Sequence, residues 1–284
     1  MCDQDHSEKE MLELEAAGKI TRRQFGVMLG AGVMMMLPPV QNPVAVTESE
    51  VTIKTPDGTC DAYFVHPTTG TAPGVLVWPD IFGLRPAFRQ MGKRLAESGY
   101  SVLVVNPFYR VQKAPTAAQG AATAINGLLP LMNGLTPAIQ ATDSKAFVAW
   151  LDQQASVAKN KKIGTQGYCM GGPIALRTAG NVPDRIGAVA SFHGAALTGT
   201  AADSPNVMAA KSKAQYLIAI ADNDDKSRPN EKTDLKTTLG AAAEIEVYTG
   251  AQHGWCPPDS GVYNKDLAEK AWTRLLALYK KALV

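Results

Sequence analysis

In a chain of 284 residues, the stretch Gly167-Tyr168-Cys169-Met170-Gly171-Gly172 carries the clearest chemical signal. It follows a strand-like run, Lys162-Ile163-Gly164-Thr165, and precedes a helical run from Ile174 to Ala179. The pattern is G-x-S-x-G with cysteine in the serine position, a tight strand-to-helix turn that projects a nucleophile. Such a turn crowds the backbone, so side chains at 167 and 171 would collide with neighbouring elements. A helix N-terminus also presents unpaired N–H groups that favour thiolate over thiol. Read alone, the motif also fits a buried structural cysteine. The strand before it and the helix after it favour a nucleophile.

A cysteine nucleophile needs a base within hydrogen-bond reach and a group that orients the base. The four histidines are His6, His66, His193 and His253. His6 and His66 read as surface residues. His193 follows an apolar strand ending at Phe192, and His253 lies in a loop after the last strand, followed by Gly254 and Trp255. In α/β-hydrolases the chain order is nucleophile, acid, histidine. Asp224, directly after the strand from Tyr216 to Ile220, and His253 satisfy that order; His193 precedes the acid. Alternate carboxylates at Asp222, Asp224 and Asp225 are also compatible with a cation site or a solvated turn, but Lys226 and Arg228 follow at once and no closing Glu of a calcium loop is present. No metal or cofactor is expected.

The elements that must position these residues alternate. Val51 and Ile53, then Tyr63 and Val65, imply a hairpin turning at Pro56-Asp57-Gly58. Short apolar strands follow at 74–78, 101–105, 186–192, 216–221 and 244–248, with helices expected at 86–98, 143–158 and over the Leu267 to Tyr279 stripe. Repeated βα units imply an α/β fold, a mostly parallel central sheet with helices on both faces. Between Ala114 and Thr142 the chain is rich in Ala, Gly and Pro. It is either a cover over the site or a plain connection.

Composition excludes several classes. Hydrophobic residues make up 45% and charged residues 19%, an ordinary globular balance. Beyond residue 46 the net charge is +4, with no Lys/Arg run to track a phosphate backbone, so nucleic acid is not an expected partner. Cys2, Cys60, Cys169 and Cys256 are too scattered for a zinc site or a disulfide framework, and Cys60 and Cys256 read as isolated thiols.

Thr21-Arg22-Arg23-Gln24-Phe25, followed by an uncharged run to Leu37, resembles a twin-arginine export signal. From Phe25 the run has 13 residues, too short to span a bilayer as a helix. The alternative is a helix packed on the core. Residues 1–46 are therefore expected to be a leader engaging the twin-arginine machinery, and 47–284 a single periplasmic domain, monomeric or a small homo-oligomer.

Over nearly the whole body the chain resembles the dienelactone hydrolase family. The motifs are Pro79-Asp80-Ile81-Phe82-Gly83-Leu84, the cysteine elbow, Asp224 and His253. The resemblance implies hydrolysis of a small ester or lactone: Cys169 attacks the carbonyl, His253 relays the proton, Asp224 orients His253, and an acyl-thioester forms. It also implies oxyanion donors at the backbone N–H groups of Ile81 and Met170. Asp80 stands where founding members carry Glu beside the thiol, so it is either an activator of Cys169 or a loop-capping carboxylate. The family's arginine after the histidine is missing, and a neutral or apolar ester is the expected substrate. Phe82, Tyr109 and Trp255 are candidate pocket walls, with core packing as the alternative. An acyl or thioester transferase, or an inactive binding protein on the same fold, are the competing functions.

Overall fold

A computed structural model describes residues 34–118 and 120–284. The Arg22-Arg23 pair and the apolar run up to residue 33 lie outside the described residues.

The hairpin pairs β1 (Val46–Thr55) with β2 (Gly58–Pro67) in register from Val46 opposite Pro67 to Thr55 opposite Gly58. Then come β3 (Gly74–Trp78), β4 (Ser101–Val105), β5 (Ile163–Tyr168), β6 (Ile186–Phe192), β7 (Gln215–Ala221) and β8 (Ala243–Tyr248). They form one sheet in the order β1-β2-β4-β3-β5-β6-β7-β8. The strands from β4 to β8 run parallel, and the hairpin joins antiparallel at β4.

β3, β4 and β5 are buried along their whole length, as strands covered on both faces must be. Helix α1 (Pro86–Glu97) and the C-terminal helix pack on one face. Between them come α2 (Leu129–Asn133), α3 (Pro137–Gln153), α4 (Gly171–Asn181), α5 (Pro205–Ala209), α6 (Asp222–Ser227) and α7 (Glu231–Leu239), and the C-terminal helix is α8 (Lys265–Ala282). Helices α3, α4 and α7 cover the opposite face. Alternation along each strand decides the layers: Val75 and Val77 face α1 and α8, while Leu76 and Trp78 face α3 and α4.

The expected strands and the first and last helices are present. The helix expected at 143–158 instead runs 137–153. Its start is set by Thr136, whose Oγ1 accepts from the Ile139 N–H at 3.4 Å, followed by Pro137 at the first helical position. Upstream, residues 34–45 already touch the body, before the boundary expected at 47. The Met35 N–H donates to Pro258 O at 2.9 Å, the Val44 N–H donates to Glu97 O at 3.0 Å, and Leu37 lines a small cavity together with Met91 and Trp272. Among the described residues no helix is long and apolar enough to cross a membrane.

The sheet order reverses between β3 and β5: β4 lies on one side of β3, and β5 through β8 extend from the other. In open parallel sheets the crevice beyond the strand ends at such a point is where ligands bind. Phe147 of α3 closes the layer beneath it, fully buried against Trp78 (ring centroids 5.6 Å) and Tyr109 (6.4 Å). Phe147→Ala is expected to lower unfolding free energy by about 3–5 kcal/mol in urea titrations; a loss below about 1 kcal/mol would contradict this packing.

Candidate active site

β5 stops at Tyr168, and Cys169 takes φ +50°, a left-handed conformation rare for any residue but glycine, before α4 starts at Gly171. The surrounding backbone leaves no room for side chains. A Cβ on Gly167 would lie 1.9 Å from Gly171 O, and one on Gly171 would lie 2.2 Å from Trp78 O. Gly172 is equally confined, by Ser191 and Gly194. The turn leaves the Cys169 side chain partly exposed while Tyr168 and Met170 are buried.

The acid and the histidine arrive from the ends of β7 and β8. Asp224 sits on α6, its side chain 2% exposed. His253 Nδ1 lies 2.8 Å from Asp224 Oδ2, and its backbone N–H donates to Asn223 Oδ1 at 2.9 Å, which seats the loop on α6. The same imidazole lies close enough to the Cys169 side chain for the two to interact electrostatically. Burial opposes a charge on His253, but the Cys169 sulfur and the Asp224 carboxylate together hold its pKa well above the ordinary histidine value. Cys169, His253 and Asp224, 84 residues apart at the extremes, are thus brought together.

Asp222 pairs with Lys226 and Asp225 with Lys232, so the acidic turn splits among separate partners. Among the described residues no group of three or more His, Cys, Asp or Glu side chains is placed to hold a metal ion.

Ile81 lies in the loop after β3, and Met170 follows Cys169 in the turn before α4. Asp80 Oδ1 accepts from the Phe82 N–H at 3.0 Å and Asp80 O accepts from the Gly83 N–H at 2.9 Å, and Ile81 lies between them. Among the described residues neither the Ile81 nor the Met170 N–H donates to a loop or turn acceptor. Of the two roles open to Asp80, the structure displays the loop cap. Its carboxylate is otherwise taken by Arg85, at 2.6 and 2.9 Å.

The segment after Ala114 contains two 3₁₀ turns and α2, and packs Ala117, Leu128 and Leu129 against Ile81. It therefore covers the loop after β3. Half-buried Phe82, Ile125 and Met132 edge this apolar cluster. Phe82 thus remains at the site, whereas Tyr109 and Trp255 do not serve as pocket walls. The Tyr109 hydroxyl lies within 2.8 Å of both Thr55 Oγ1 and Asp143 Oδ1 in the core beneath the hairpin. Trp255 is fully buried and stacked on Tyr248 at 5.1 Å. Cys60 and Cys256 are free and buried in the cores on opposite faces of the sheet.

Sequence order set His193 aside, yet it stands directly behind the elbow. Its backbone adopts φ +41° and its side chain is fully buried. Nδ1 accepts from the Cys169 N–H at 3.1 Å, a bond shared with Phe192 O. Its ring meets those of His253 and Trp255 edge-on, each at 5.1 Å. Burial, reinforced by the charge of His253, pushes its pKa well below the ordinary value, so it stays neutral with its proton on Nε2. The signal was the His193-Gly194 pair after a buried strand, with Gly194 facing Gly172 across the turn.

The dienelactone hydrolase family model matches residues 60–283, most of the chain. The chain belongs to the dienelactone hydrolase family. Membership places it among the hydrolases of esters and lactones. It is 25% identical over 254 residues to the carboxymethylenebutenolidase of Rhodococcus opacus, covering 87% of this chain and 94% of that one. Two solved structures share its fold. One is a dienelactone hydrolase-like promiscuous phosphotriesterase from metagenomic libraries (TM-score 0.68, 21% identity, 84% of this chain and 100% of that one). The other is the dienelactone hydrolase of Anabaena variabilis (TM-score 0.62, 16% identity, 86% and 100%).

Because the folded protein refuses a proton at His193 that the unfolded chain accepts below about pH 6.5, stability must fall as pH drops through that range. His253 acts in the opposite sense, its raised pKa adding stability that is lost as pH rises. Comparing wild type with His193→Gln isolates the first effect. Thermal unfolding midpoints should fall more steeply from about pH 7.5 to about pH 5.5 in the wild type, and parallel curves would contradict a neutral buried His193.

Proposed function

We propose that this protein hydrolyses a carboxylic ester or lactone through Cys169, His253 and Asp224, by way of an acyl-thioester. The observation that carries this reading is the single imidazole that pairs with Asp224 at 2.8 Å and also interacts with the Cys169 side chain.

In the first half-reaction the proton shared by Cys169 and His253 sits on the imidazole as the sulfur attacks the carbonyl carbon. Charge gathers on the carbonyl oxygen, where the Ile81 and Met170 N–H groups stabilise it. As the tetrahedral adduct collapses, the C–O bond breaks and His253 returns its proton to the departing alkoxide. A lactone keeps that alcohol tethered to the acyl group. In the second half-reaction His253 deprotonates a water, which attacks the thioester carbonyl. Cys169 leaves as thiol after receiving the proton, and the carboxylic acid is released. Asp224, accepting from Nδ1–H, keeps the tautomer with Nε2 toward the sulfur and stabilises the imidazolium in both steps. Met35 and Val44 are hydrogen-bonded to the body, and we assign the Arg22-Arg23 segment ahead of them to twin-arginine export into the periplasm.

On a panel of short-chain aryl esters, Cys169→Ala should be inactive. His253→Ala should lose roughly 10²–10⁴-fold in kcat, and Asp224→Asn should lose activity with little change in KM. Wild-type rates in Cys169→Ala or His253→Ala would overturn the assignment.

A further inference from the structure

A buried cluster of three charges joins the oxyanion loop to the histidine loop. Arg85 Nη1 donates to Asp80 Oδ1 at 2.6 Å and to Gly83 O at 3.3 Å. Nη2 donates to Asp80 Oδ2 and to Asp259 Oδ1, each at 2.9 Å, and Nε donates to Asp259 Oδ2 at 2.6 Å. These five bonds use every N–H that a guanidinium owns. The Arg85 side chain is 1% exposed and lies against the rings of Phe82 and Phe88, 5.4 and 4.9 Å from their centroids.

Two functions are thereby closed to this group. Arg85 has no donor left for a substrate carboxylate. Asp80 holds Arg85 with both oxygens and the Phe82 N–H with one of them, so taking a proton from Cys169 would require breaking a bidentate charge pair. What remains is connection. Asp80 precedes the oxyanion donor Ile81, Asp259 follows His253 by six positions, and Arg85 holds both carboxylates.

We propose that Arg85 is a positioning residue: by bridging Asp80 and Asp259 it fixes the Ile81 N–H relative to the His253 imidazole, and it takes no part in substrate binding or thiol activation. This rests on the triad reading above for its effect on rate, but the bridge itself exists without substrate. A displacement of the oxyanion donor costs transition-state stabilisation more than ground-state binding, so the loss belongs in kcat.

Arg85→Lys keeps the charge and loses the planar fork. Its kcat on an aryl ester should fall roughly 10- to 100-fold with KM within about threefold, equally for a neutral ester and one bearing a carboxylate. Hydrogen–deuterium exchange should rise together at residues 80–85 and 252–262 and stay unchanged in β5 and β6. Asp259→Asn, at a partly exposed site that is safer for folding, should raise exchange in the same two loops. Wild-type kcat in Arg85→Lys, exchange rising only around residue 85, or a KM increase confined to the carboxylate ester would each overturn the proposal. If the wild-type protein turns over no ester the triad reading fails, and the exchange pattern still decides the bridge.

Discussion

The site depends on a turn with no room for side chains. β5 must reverse into α4 so closely that Gly171 lies against the Trp78 carbonyl and Gly167 against Gly171. That contact forces Cys169 to φ +50°, a conformation with a cost that the fold must offset elsewhere. The compensation is visible at the same residue: its N–H is shared between Phe192 O and the buried His193 Nδ1. In return the helix starts two residues beyond Cys169, at Gly171.

Around that fixed point three segments hold the residues to which we assign the remaining chemistry, and each is anchored by polar contacts. The loop after β3 is capped by Asp80, α6 after β7 holds Asp224 buried, and the loop after β8 is seated on α6 through Asn223. The Arg85 bridge then joins the first of these loops to the third. Rigid parallel strands supply the strand ends, and side chains between loops fix what the strands leave free.

Much of this was legible in the sequence because the chemistry left local marks. The elbow glycines, the acid after β7 and the histidine after β8 each occur beside a short apolar run with a clear strand period. The rest was hidden for physical reasons. His193 acts through a backbone N–H, and chain order, which sorts catalytic side chains, says nothing about such a role. Arg85 meets Asp259 across 174 positions, a pairing no local pattern encodes. The start of α3 was marked by Thr136-Pro137, but the Ala- and Gly-rich stretch before it blurred the helical period. Tyr109 and Trp255 were open to either a pocket or a core reading because a large ring near a catalytic motif carries no sign of which way it faces; the hydroxyl of one and the stacking of the other direct both into the core.

The most direct test of the account is to quench the wild-type protein within its first turnovers on an aryl ester and map the added mass by peptide mass spectrometry. The account predicts one acyl group on Cys169, absent after Cys169→Ala. Hydrolysis that proceeds with the acyl group on another residue, or with Cys169 replaced by Ala, would contradict it.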